Sequence, residues 1–512
     1  PNHRKVHKQP IPRIGGLAFF LGGLLPVLFW GDIGRETLAF LAGGALIVMF
    51  GLIDDRLELG YRVKLVGQVI GSLVVIWGGI QIHSMPSFMG GADLPIYASV
   101  PITLFMIVSV TNAVNFSDGL DGLAGGVVLA SLVGICMMAF ESENYAIAFI
   151  AIALIGSLLG FLQFNSHPAK LFMGDGGSQF LGFSVAVLSI WLTQSEFSVY
   201  AVSVPLLLIG LPLIDIVMVT LNRKLDGKSA FEPDKTHFHH RMLSLGLDHM
   251  EAVLVIYVLQ IGLVLSAYFL RFSANSTVIG LYSVLLVLYF VVFRNTEWIR
   301  QRVRPVYMPV GGSMLAQKMN YLRKEGGFQK VSCIGTYLCV ASLYIFGVFV
   351  ASSLSVQIGI AAVALFLLIA LLRFYMKNEL TEWIERVAYY GSALMLILLM
   401  PVEVVSSQHL FGFFLLLAAI VFVGMHYADD SRVKVKPVDV LILLLVLALP
   451  RILNSLGAGE SYAYSAFYLV TLFYAIEMLL LTSTQYCGQQ RFLKTLLILP
   501  LLLFGISSFI GG

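Results

Sequence analysis

Charged residues are scarce in this chain: Asp, Glu, Lys and Arg make up 12% of its 512 residues, whereas 58% of the residues are hydrophobic. The mean hydropathy of +0.88 excludes a soluble domain of this length. Cysteine is also scarce, and the four cysteines are scattered without a CxxC pair, which excludes a zinc ribbon and a disulfide framework. Internal repeats and low-complexity tracts are lacking too. The composition therefore predicts a polytopic membrane protein.

Apolar runs predict an all-α fold, a transmembrane helical bundle with about ten spans in a front module and about seven in a back module. The front spans are predicted near residues 14–30, 36–53, 63–80, 97–114, 119–139, 145–164, 178–193, 199–221, 251–271 and 276–293. The back spans are predicted near residues 331–353, 355–374, 384–404, 408–426, 438–454, 463–483 and 491–510. Between the modules we expect a basic, amphipathic linker that lies on an anionic membrane surface. The predicted domains are thus 1–293, the linker 294–330, and 331–512.

The distribution of Lys and Arg predicts the orientation, because cytoplasmic loops are enriched in these residues. If the basic N-terminal segment lies in the cytoplasm, nearly all the basic loops fall on the cytoplasmic side. The unusual polar segments fall on that side as well: residues 1–13, 54–64, 115–121, 165–177 and 222–250. Segments far apart in sequence can therefore build one site at one membrane face. The sequence opens at Pro1 on the basic segment, and we expect one further span before it.

Carboxylates are few, with 29 Asp and Glu in the chain, and several of them stand where an apolar span begins or ends. They are Asp54 and Asp55 in FGLIDDRLELG, Asp118 and Asp121 in NFSDGLDGLAGG, and Asp175 in FMGDGGS. A carboxylate beside an apolar span is costly and is usually functional. Converging carboxylates repel one another unless a cation joins them. Oxygen ligands of this kind suit Mg²⁺ or Mn²⁺ and chemistry on phosphates.

Local spacing indicates different roles for these carboxylates. Adjacent helical residues point about 100° apart, so one of Asp54 and Asp55 can bind a metal while the other orients a ligand or takes a proton. The alternative for this pair is a solvated helix end. Asn115, Asp118 and Asp121 follow an i, i+3, i+6 spacing, which places them on one helix face. The alternative here is an N-cap on the following helix.

The GDGGS segment begins a predicted span, so its backbone N–H groups can bind an anion while Asp175 offers oxygen to a metal. The alternative is a tight turn followed by an N-cap. Phe172 and Asn165 flank the segment and could stack on a nucleobase and hydrogen-bond it. The pattern therefore favours a ligand that carries both a phosphate and a nucleobase.

The segment PDKTHFHHRM contains His237, His239, His240 and Arg241. Histidines clustered beside cations are better interpreted as a phosphate-binding or general acid–base group than as structural residues. A zinc site is disfavoured because a convincing fourth ligand is missing.

Together, HRKVHKQPIPRIGG, IDDRLEL, NFSDGLDGLAGG, FMGDGGS and HFHHR resemble the motifs of the polyprenyl-phosphate N-acetylhexosamine-1-phosphate transferases. This bacterial family initiates lipid-linked wall and surface glycans. Phospho-MurNAc-pentapeptide transferase is a sister of the family, but its histidine motif differs. The resemblance covers about residues 1–293 and does not extend to 331–512. The family usually has one more span than we count in the front module, which agrees with a span before Pro1.

The resemblance implies roles for individual residues. Asp175 matches the Mg²⁺-binding aspartate, and Asp54 and Asp55 match an essential pair near the lipid phosphate. Asp118 and Asp121 match a pair at the nucleotide. The other implied roles are metal and nucleotide binding for Asn115, a phosphate contact for Lys64, catalysis for His239, and substrate binding for Lys8, Asn165, Phe172, His237, His240 and Arg241.

The implied reaction transfers a sugar 1-phosphate, with N-acetylglucosamine as the expected sugar, from a UDP-N-acetylhexosamine to polyprenyl (undecaprenyl) phosphate and releases UMP. The expected cofactor is Mg²⁺, with Mn²⁺ as a substitute. The expected partners are the two substrates and membrane lipid, with no nucleic acid, and we expect 331–512 to serve a homodimer or a pathway partner. The expected location is the bacterial inner membrane, with the active site on the cytoplasmic face.

Two other classes share parts of the pattern. A transporter or lipid-sugar flippase would use ion-coupling aspartates, but we expect those near span midpoints rather than at one membrane edge. The DGxDG pattern also resembles the CDP-alcohol phosphotransferases, which need an arginine at the place of Ala124.

Overall fold

The computed structural model describes residues 11–57, 61–85, 93–195, 198–225, 227, 237–294, 327–350, 379–398, 400, 402–405, 408–426, 436, 439, 441–442 and 460–486. These residues form helices joined by loops, and this part of the chain contains no β-sheet beyond an isolated bridge between Ser84 and Asp93. The chain folds into two compact units, Pro1–Met308 with Lys436–Leu441, and Pro309–Val435 with Ile442–Gly512. The first boundary between them falls within the predicted linker, and the separate role of 331–512 stays a prediction.

The first unit is a bundle of helices. They are α1 (Gly15–Trp30), α2 (Arg35–Leu57), α3 (Tyr61–Trp77), α4 (Ile96–Ser117), α5 (Leu123–Glu141), α6 (Tyr145–Asn165), α7 (Gly174–Gln194), α8 (Pro205–Leu208), α9 (Gly210–Leu225), α10 (Phe238–Ser244), α11 (His249–Phe269) and α12 (Asn275–Arg294). Across the described parts of both units, eight helices are long and apolar enough to cross a membrane. The predicted all-α polytopic bundle is confirmed, and the number of spans stays a prediction.

Helix α7 is buried along nearly its whole length and packs against α1, α2, α4 and α5. Its close approach to two of these neighbours depends on facing glycines. A Cβ added to Gly51 of α2 would lie 2.1 Å from the Cα of Gly176, and one added to Gly16 of α1 would lie 2.6 Å from the Cα of Gly177. Small residues let membrane helices approach closely. These contacts hold the first turn of α7, which carries Asp175, against the C-terminal end of α2.

The predicted span near 199–221 is interrupted in the structure, where α8 ends at Leu208 and α9 begins at Gly210. Pro212 has no N–H and cannot donate to the carbonyl of Leu208. Gln260 of α11 satisfies backbone groups on both sides of this break. Its Nε2 donates to the Leu208 carbonyl at 2.8 Å, and its Oε1 accepts from the Leu211 N–H at 3.2 Å. A broken backbone at membrane depth is tolerated where a neighbouring helix satisfies it in this way.

The second unit contains α13 (Gly327–Val350), α14 (Glu379–Leu398), α15 (Val402–Val405), α16 (Gln408–His426) and α17 (Glu460–Tyr486). Helix α17 packs against α13, α14 and α16, and it buries Phe467 and Tyr468. Within this unit Arg386 of α14 forms an ion pair with Glu477 of α17 at 2.7 Å. The predicted spans near 355–374 and 491–510 lie outside the described residues, as does nearly all of the one near 438–454.

Candidate active site

The carboxylates of Asp54 and Asp175 meet at the ammonium group of Lys64. The Lys64 Nζ lies 2.9 Å from Asp54 Oδ2 and 2.5 Å from Asp175 Oδ2. The three residues come from the C-terminal end of α2, the first turn of α3 and the first turn of α7. One cation therefore joins two carboxylates that are 121 positions apart in the sequence, as the repulsion between converging acids requires.

The donor set around Asp54 and Asp175 fits a hard divalent cation. The side chain of Asp54 is only 5% exposed, and its Oδ1 is a buried oxygen without a hydrogen-bond partner. Such an atom is costly unless a donor or a cation satisfies it. Asn115 of α4 stands beside Asp175, donating from Nδ2 to Asp175 Oδ1 at 3.4 Å and to Ser178 Oγ at 2.7 Å. Carboxylate oxygens of this kind are the ligands that Mg²⁺ prefers. Asn115 turns its amide nitrogen toward Asp175 in this arrangement, so metal binding by its amide oxygen stays a prediction.

Asp55 contacts the start of α7. Its Oδ1 accepts from the backbone N–H of Asp175 at 3.1 Å, and its Oδ2 accepts from that of Gly176 at 3.5 Å. A carboxylate at a helix N-terminus is stabilised by the unpaired N–H groups and by the helix dipole. Gly174, at φ +70°, makes the sharp entry into α7 beside Asp55. The two neighbours thus have different partners: Asp54 contacts Lys64, and Asp55 orients the segment that carries Asp175, while metal binding by one of them stays a prediction.

A layer of amides that the sequence analysis missed lies beneath these charges. Gln68 Nε2 donates to Gln179 Oε1 at 2.9 Å and to Asn112 Oδ1 at 3.2 Å, and Asn112 Nδ2 donates back to Gln68 Oε1 at 2.7 Å. Gln68 and Gln179 lie one helical turn after Lys64 and Asp175 respectively. A polar residue one turn from each charged one, inside an apolar run, is the sequence signal that could have revealed the layer. The network fixes α3, α4 and α7 relative to one another.

The loop that follows α4 carries Asp118 and Asp121, which occupy different environments. Asp118 ends α4, is exposed at the rim of the site, and lies within electrostatic range of Asp175 and Asp121. Asp121 is buried, and its Oδ2 accepts from His167 Nδ1 at 2.8 Å and from the Ala169 N–H at 3.0 Å. The two carboxylates therefore differ in exposure and in partners, and a contact of either with the nucleotide stays a prediction.

Asn165 connects the same loop to the segment before α7. Its Oδ1 accepts from the Gly122 N–H at 2.9 Å, and its Nδ2 donates to the Leu171 carbonyl at 2.8 Å. Phe172 is partly exposed, and its backbone pairs with the N-terminal segment through the Pro12 carbonyl at 2.9 Å. Nucleotide contacts by Asn165 and Phe172 stay predictions, and Lys8 lies outside the described residues.

The histidine segment is anchored by Asp215 of α9, a residue that the sequence analysis missed. The buried carboxylate of Asp215 accepts from His237 Nδ1 at 2.9 Å, from the Phe238 N–H at 2.9 Å and from the Tyr289 hydroxyl at 2.8 Å. A lone aspartate inside the apolar run LPLIDIVMVT was the available signal, because intramembrane carboxylates are rarely incidental. Asp215 thus fixes both the His237 ring and the start of α10.

Helix α10 packs against the loop that carries Asp118. His239 is 3% exposed, and a Cβ added to Gly119 would lie 2.1 Å from its Nε2, so the ring rests directly on that glycine. Burial, and then repulsion from His240, lower the pKa of His239 to about 3. His239 is therefore uncharged near neutral pH, whereas His240 and Arg241 are partly exposed. His237 stacks on Phe116 with a 5.4 Å centroid separation.

Predicted site residues from four of the five polar segments thus come together in the described part of the first unit, all at or near helix ends. A charged, metal-compatible site at one end of an apolar helical bundle defines a membrane enzyme that acts on phosphates. Residues 37–193 match the model of glycosyl transferase family 4, a stretch that contains Asp54, Lys64, Asn115 and Asp175. The chain belongs to this family, and the predicted resemblance to the polyprenyl-phosphate N-acetylhexosamine-1-phosphate transferases is confirmed.

The relatives of the chain are named accordingly. A probable undecaprenyl-phosphate N-acetylglucosaminyl 1-phosphate transferase of Bacillus subtilis is 34% identical over 309 residues, which are 60% of this chain and 86% of the relative. A decaprenyl-phosphate N-acetylglucosaminephosphotransferase of Mycobacterium tuberculosis is 37% identical over 52% of this chain and 73% of the relative. An undecaprenyl-phosphate alpha-N-acetylglucosaminyl 1-phosphate transferase of Escherichia coli is 28% identical over 50% of this chain and 71% of the relative.

Proposed function

We propose that the protein transfers N-acetylglucosamine 1-phosphate from UDP-N-acetylglucosamine to a polyprenyl phosphate, as the first step of a lipid-linked glycan. An oxygen of the lipid phosphate attacks the sugar-bearing β-phosphorus, the bond from that phosphorus to the bridging oxygen breaks, and UMP leaves. The lipid phosphate is already ionised, so the attack needs no proton acceptor. The names of the relatives support the substrates, and the observation that carries the site is the pair of carboxylates joined by Lys64.

Charge neutralisation is the main requirement of phosphoryl transfer, which needs little covalent assistance. Lys64 supplies one fixed positive charge at the junction of α2, α3 and α7. Asp175, Asp54 and Asn115 are the residues that would hold Mg²⁺, which when bound stabilises negative charge on phosphate oxygens. Arg241 of α10 would bind the diphosphate of the nucleotide sugar, while Asp55 keeps the first turn of α7 in position.

The placement of the acidic residues favours an enzyme over a transporter. Asp54, Asp118 and Asp175 stand at the ends of α2, α4 and α7 and not at helix midpoints, where ion-coupling carboxylates are expected. We further propose that this end of the bundle faces the cytoplasm, where nucleotide sugars are available, and that the protein resides in the bacterial inner membrane. Residues 331–512 would then serve association with a second copy or with a later enzyme of the same pathway.

The test is a reconstitution of the whole protein in detergent with undecaprenyl phosphate and a panel of labelled UDP-hexosamines. The expected result is a lipid-linked sugar diphosphate with stoichiometric UMP, highest with UDP-N-acetylglucosamine, and loss of turnover when EDTA removes divalent cations. Release of UDP in place of UMP would contradict phosphoryl transfer. Turnover that persists in EDTA would remove the divalent cation from the proposal.

A further inference from the structure

A cluster of metal-ligating side chains lies beside the site but outside the acidic group around Lys64. Asp121 belongs to the loop after α4, His167 to the loop after α6, and His249 to the first turn of α11. One ligand atom from each of the three residues lies within 4.8 Å of the other two. Over the described portion of the chain, no other group of three His, Cys, Asp or Glu side chains meets this condition.

The three side chains of the cluster already contact one another or the backbone between them. His167 Nδ1 lies 2.8 Å from Asp121 Oδ2, and His249 Nε2 lies 3.4 Å from the Asp121 carbonyl oxygen. The rings of His167 and His249 stack with a centroid separation of 4.2 Å and an interplanar angle of 26°. A neutral imidazole beside an ionised carboxylate is the protonation state that binds a metal.

We infer that Asp121, His167 and His249 bind a transition-metal cation of the Zn²⁺ or Co²⁺ class. Two imidazole nitrogens and one carboxylate oxygen are a recurrent ligand set for such ions, with water or substrate in the remaining positions. Mg²⁺ prefers an all-oxygen set and would favour the acidic group around Asp175 instead. The two places therefore differ in ligand chemistry as well as in residues.

The surroundings of Asp121 support a built site. The Ala169 N–H donates to the Asp121 carboxylate at 3.0 Å, which orients it in the way that outer hydrogen bonds orient metal ligands. The Tyr257 hydroxyl of α11 donates to the Gly122 carbonyl at 2.6 Å, so the loop and α11 are already held together next to the cluster. An ion bound here would clamp the loop that carries Asp118 to the segments on either side of it.

The histidines of the HFHHR segment are the rival place for such an ion. They are less suitable, because over the described residues they do not bring three ligand atoms within 4.8 Å of one another, and the Nε2 of His239 is buried against Gly119. The two clusters contain different histidines, so substitutions can separate them.

The test is a titration of the whole protein in detergent, stripped with EDTA and then given Co²⁺ in the presence of excess Mg²⁺. We expect one equivalent of Co²⁺ to bind with visible d–d absorption that Zn²⁺ abolishes. His167→Asn and His249→Asn should each weaken Co²⁺ binding by at least about tenfold. His240→Asn and Asp175→Asn are the matched controls and should retain wild-type Co²⁺ binding, because they alter the rival cluster and the acidic group.

A second measurement on the wild-type protein does not depend on whether a variant folds. Zn²⁺ should protect His167 and His249, but not His240, from carbethoxylation by diethylpyrocarbonate as read by mass spectrometry. Absence of Co²⁺ binding by the wild-type protein would overturn the inference, as would protection of His240 in place of the other two histidines. Neither measurement uses transferase activity, so a negative result here would leave the proposed function standing.

Discussion

At the scale of single residues, the site depends on how few positive charges face its carboxylates. Lys64 forms ion pairs with Asp54 and Asp175 at once, so one positive charge faces two negative ones, and Asp54 still has an oxygen without a hydrogen-bond partner. A buried, partly compensated carboxylate of this kind is costly for stability and is typical of a functional site. The predictions for single residues therefore concern the negative charge of Asp175, which the site needs, and a positive charge on His239, which burial disfavours.

Asp175→Asn should abolish turnover without unfolding the protein. The amide keeps the size of the side chain but loses the charge that faces Lys64 and that would hold the divalent cation. The measurement is UMP release by protein that elutes as a single species. Residual activity above about a tenth of wild type, a barrier change below about 1.4 kcal/mol, would remove Asp175 from the metal site.

His239 should make the protein less stable in mild acid. Its pKa of about 3 lies below the ordinary value of 6.5, so the unfolded chain binds a proton between these values that the folded protein does not. Stability should therefore be complete above about pH 6.5 and decrease below it, by at most about 1.4 kcal/mol per pH unit. The measurement compares the Tm of wild type and His239→Gln at neutral pH and near pH 5. An equal loss of Tm in both proteins would contradict a buried, uncharged His239.

At the scale of secondary structure, helices reach the site because small or polar residues stand where they cross. The close approach of α2 to α7 relies on Gly51 and Gly176, and the interruption between α8 and α9 relies on Gln260. Both features lie in apolar runs and do not touch a substrate. Their substitution tests whether helix placement, as distinct from site chemistry, limits activity and stability.

Gly51→Ala should lower both Tm and activity. The new Cβ would meet the backbone of Gly176 at 2.1 Å, and backbone cannot yield as the end of a side chain can, so the first turn of α7 and its Asp175 must move. Gly156→Ala on α6 is the matched control, since a Cβ there meets nothing within 4 Å. UMP release and thermal unfolding of the two variants are the measurements, and equal behaviour of both would refute the contact.

Gln260→Leu should destabilise the protein, because it leaves the Leu208 carbonyl and the Leu211 N–H of the helix break without partners. An unsatisfied buried backbone group costs about 1–3 kcal/mol. Leu259→Met, at an exposed position on the same helix, is the control and should have little effect. A Tm of Gln260→Leu no lower than that of Leu259→Met would show that the break is satisfied in another way.

At the scale of the whole molecule, the described site residues all belong to the first compact unit. The Bacillus subtilis relative matches 309 residues of this chain over 86% of its own length, and the rest of the chain has no counterpart in that match. Within the second unit, the Arg386–Glu477 ion pair joins α14 to α17. The described helices of this unit contain none of the carboxylate–glycine motifs found in the first unit. We therefore expect the chemistry to be separable from the additional helices.

A variant that ends near Lys330 should keep transferase activity in detergent, because no described site residue lies beyond α12. The measurements are UMP release and the elution profile, compared with those of the whole chain. A truncated protein that elutes as one species yet releases no UMP would place the second unit within the catalytic machinery.

The sequence by itself determined the class of the molecule and most of its site. Long apolar runs cannot be satisfied in water, so the all-α membrane bundle followed from composition and run length alone. Charges are so few that each carboxylate beside an apolar run was informative, and Asp54, Asp175, Lys64 and Asn115 do meet.

The tertiary structure decided which partner each of these residues has. Asp55 caps α7 while Asp54 faces Lys64, although the two are neighbours with the same chemistry. The roles of Asp215 and Gln260 follow only from their contacts, with His237 and with the break after α8 respectively. The physical reason is that local spacing fixes the face of one helix on which a side chain lies. The partner on another helix depends on how closely the two helices pack, and that depends on the whole bundle.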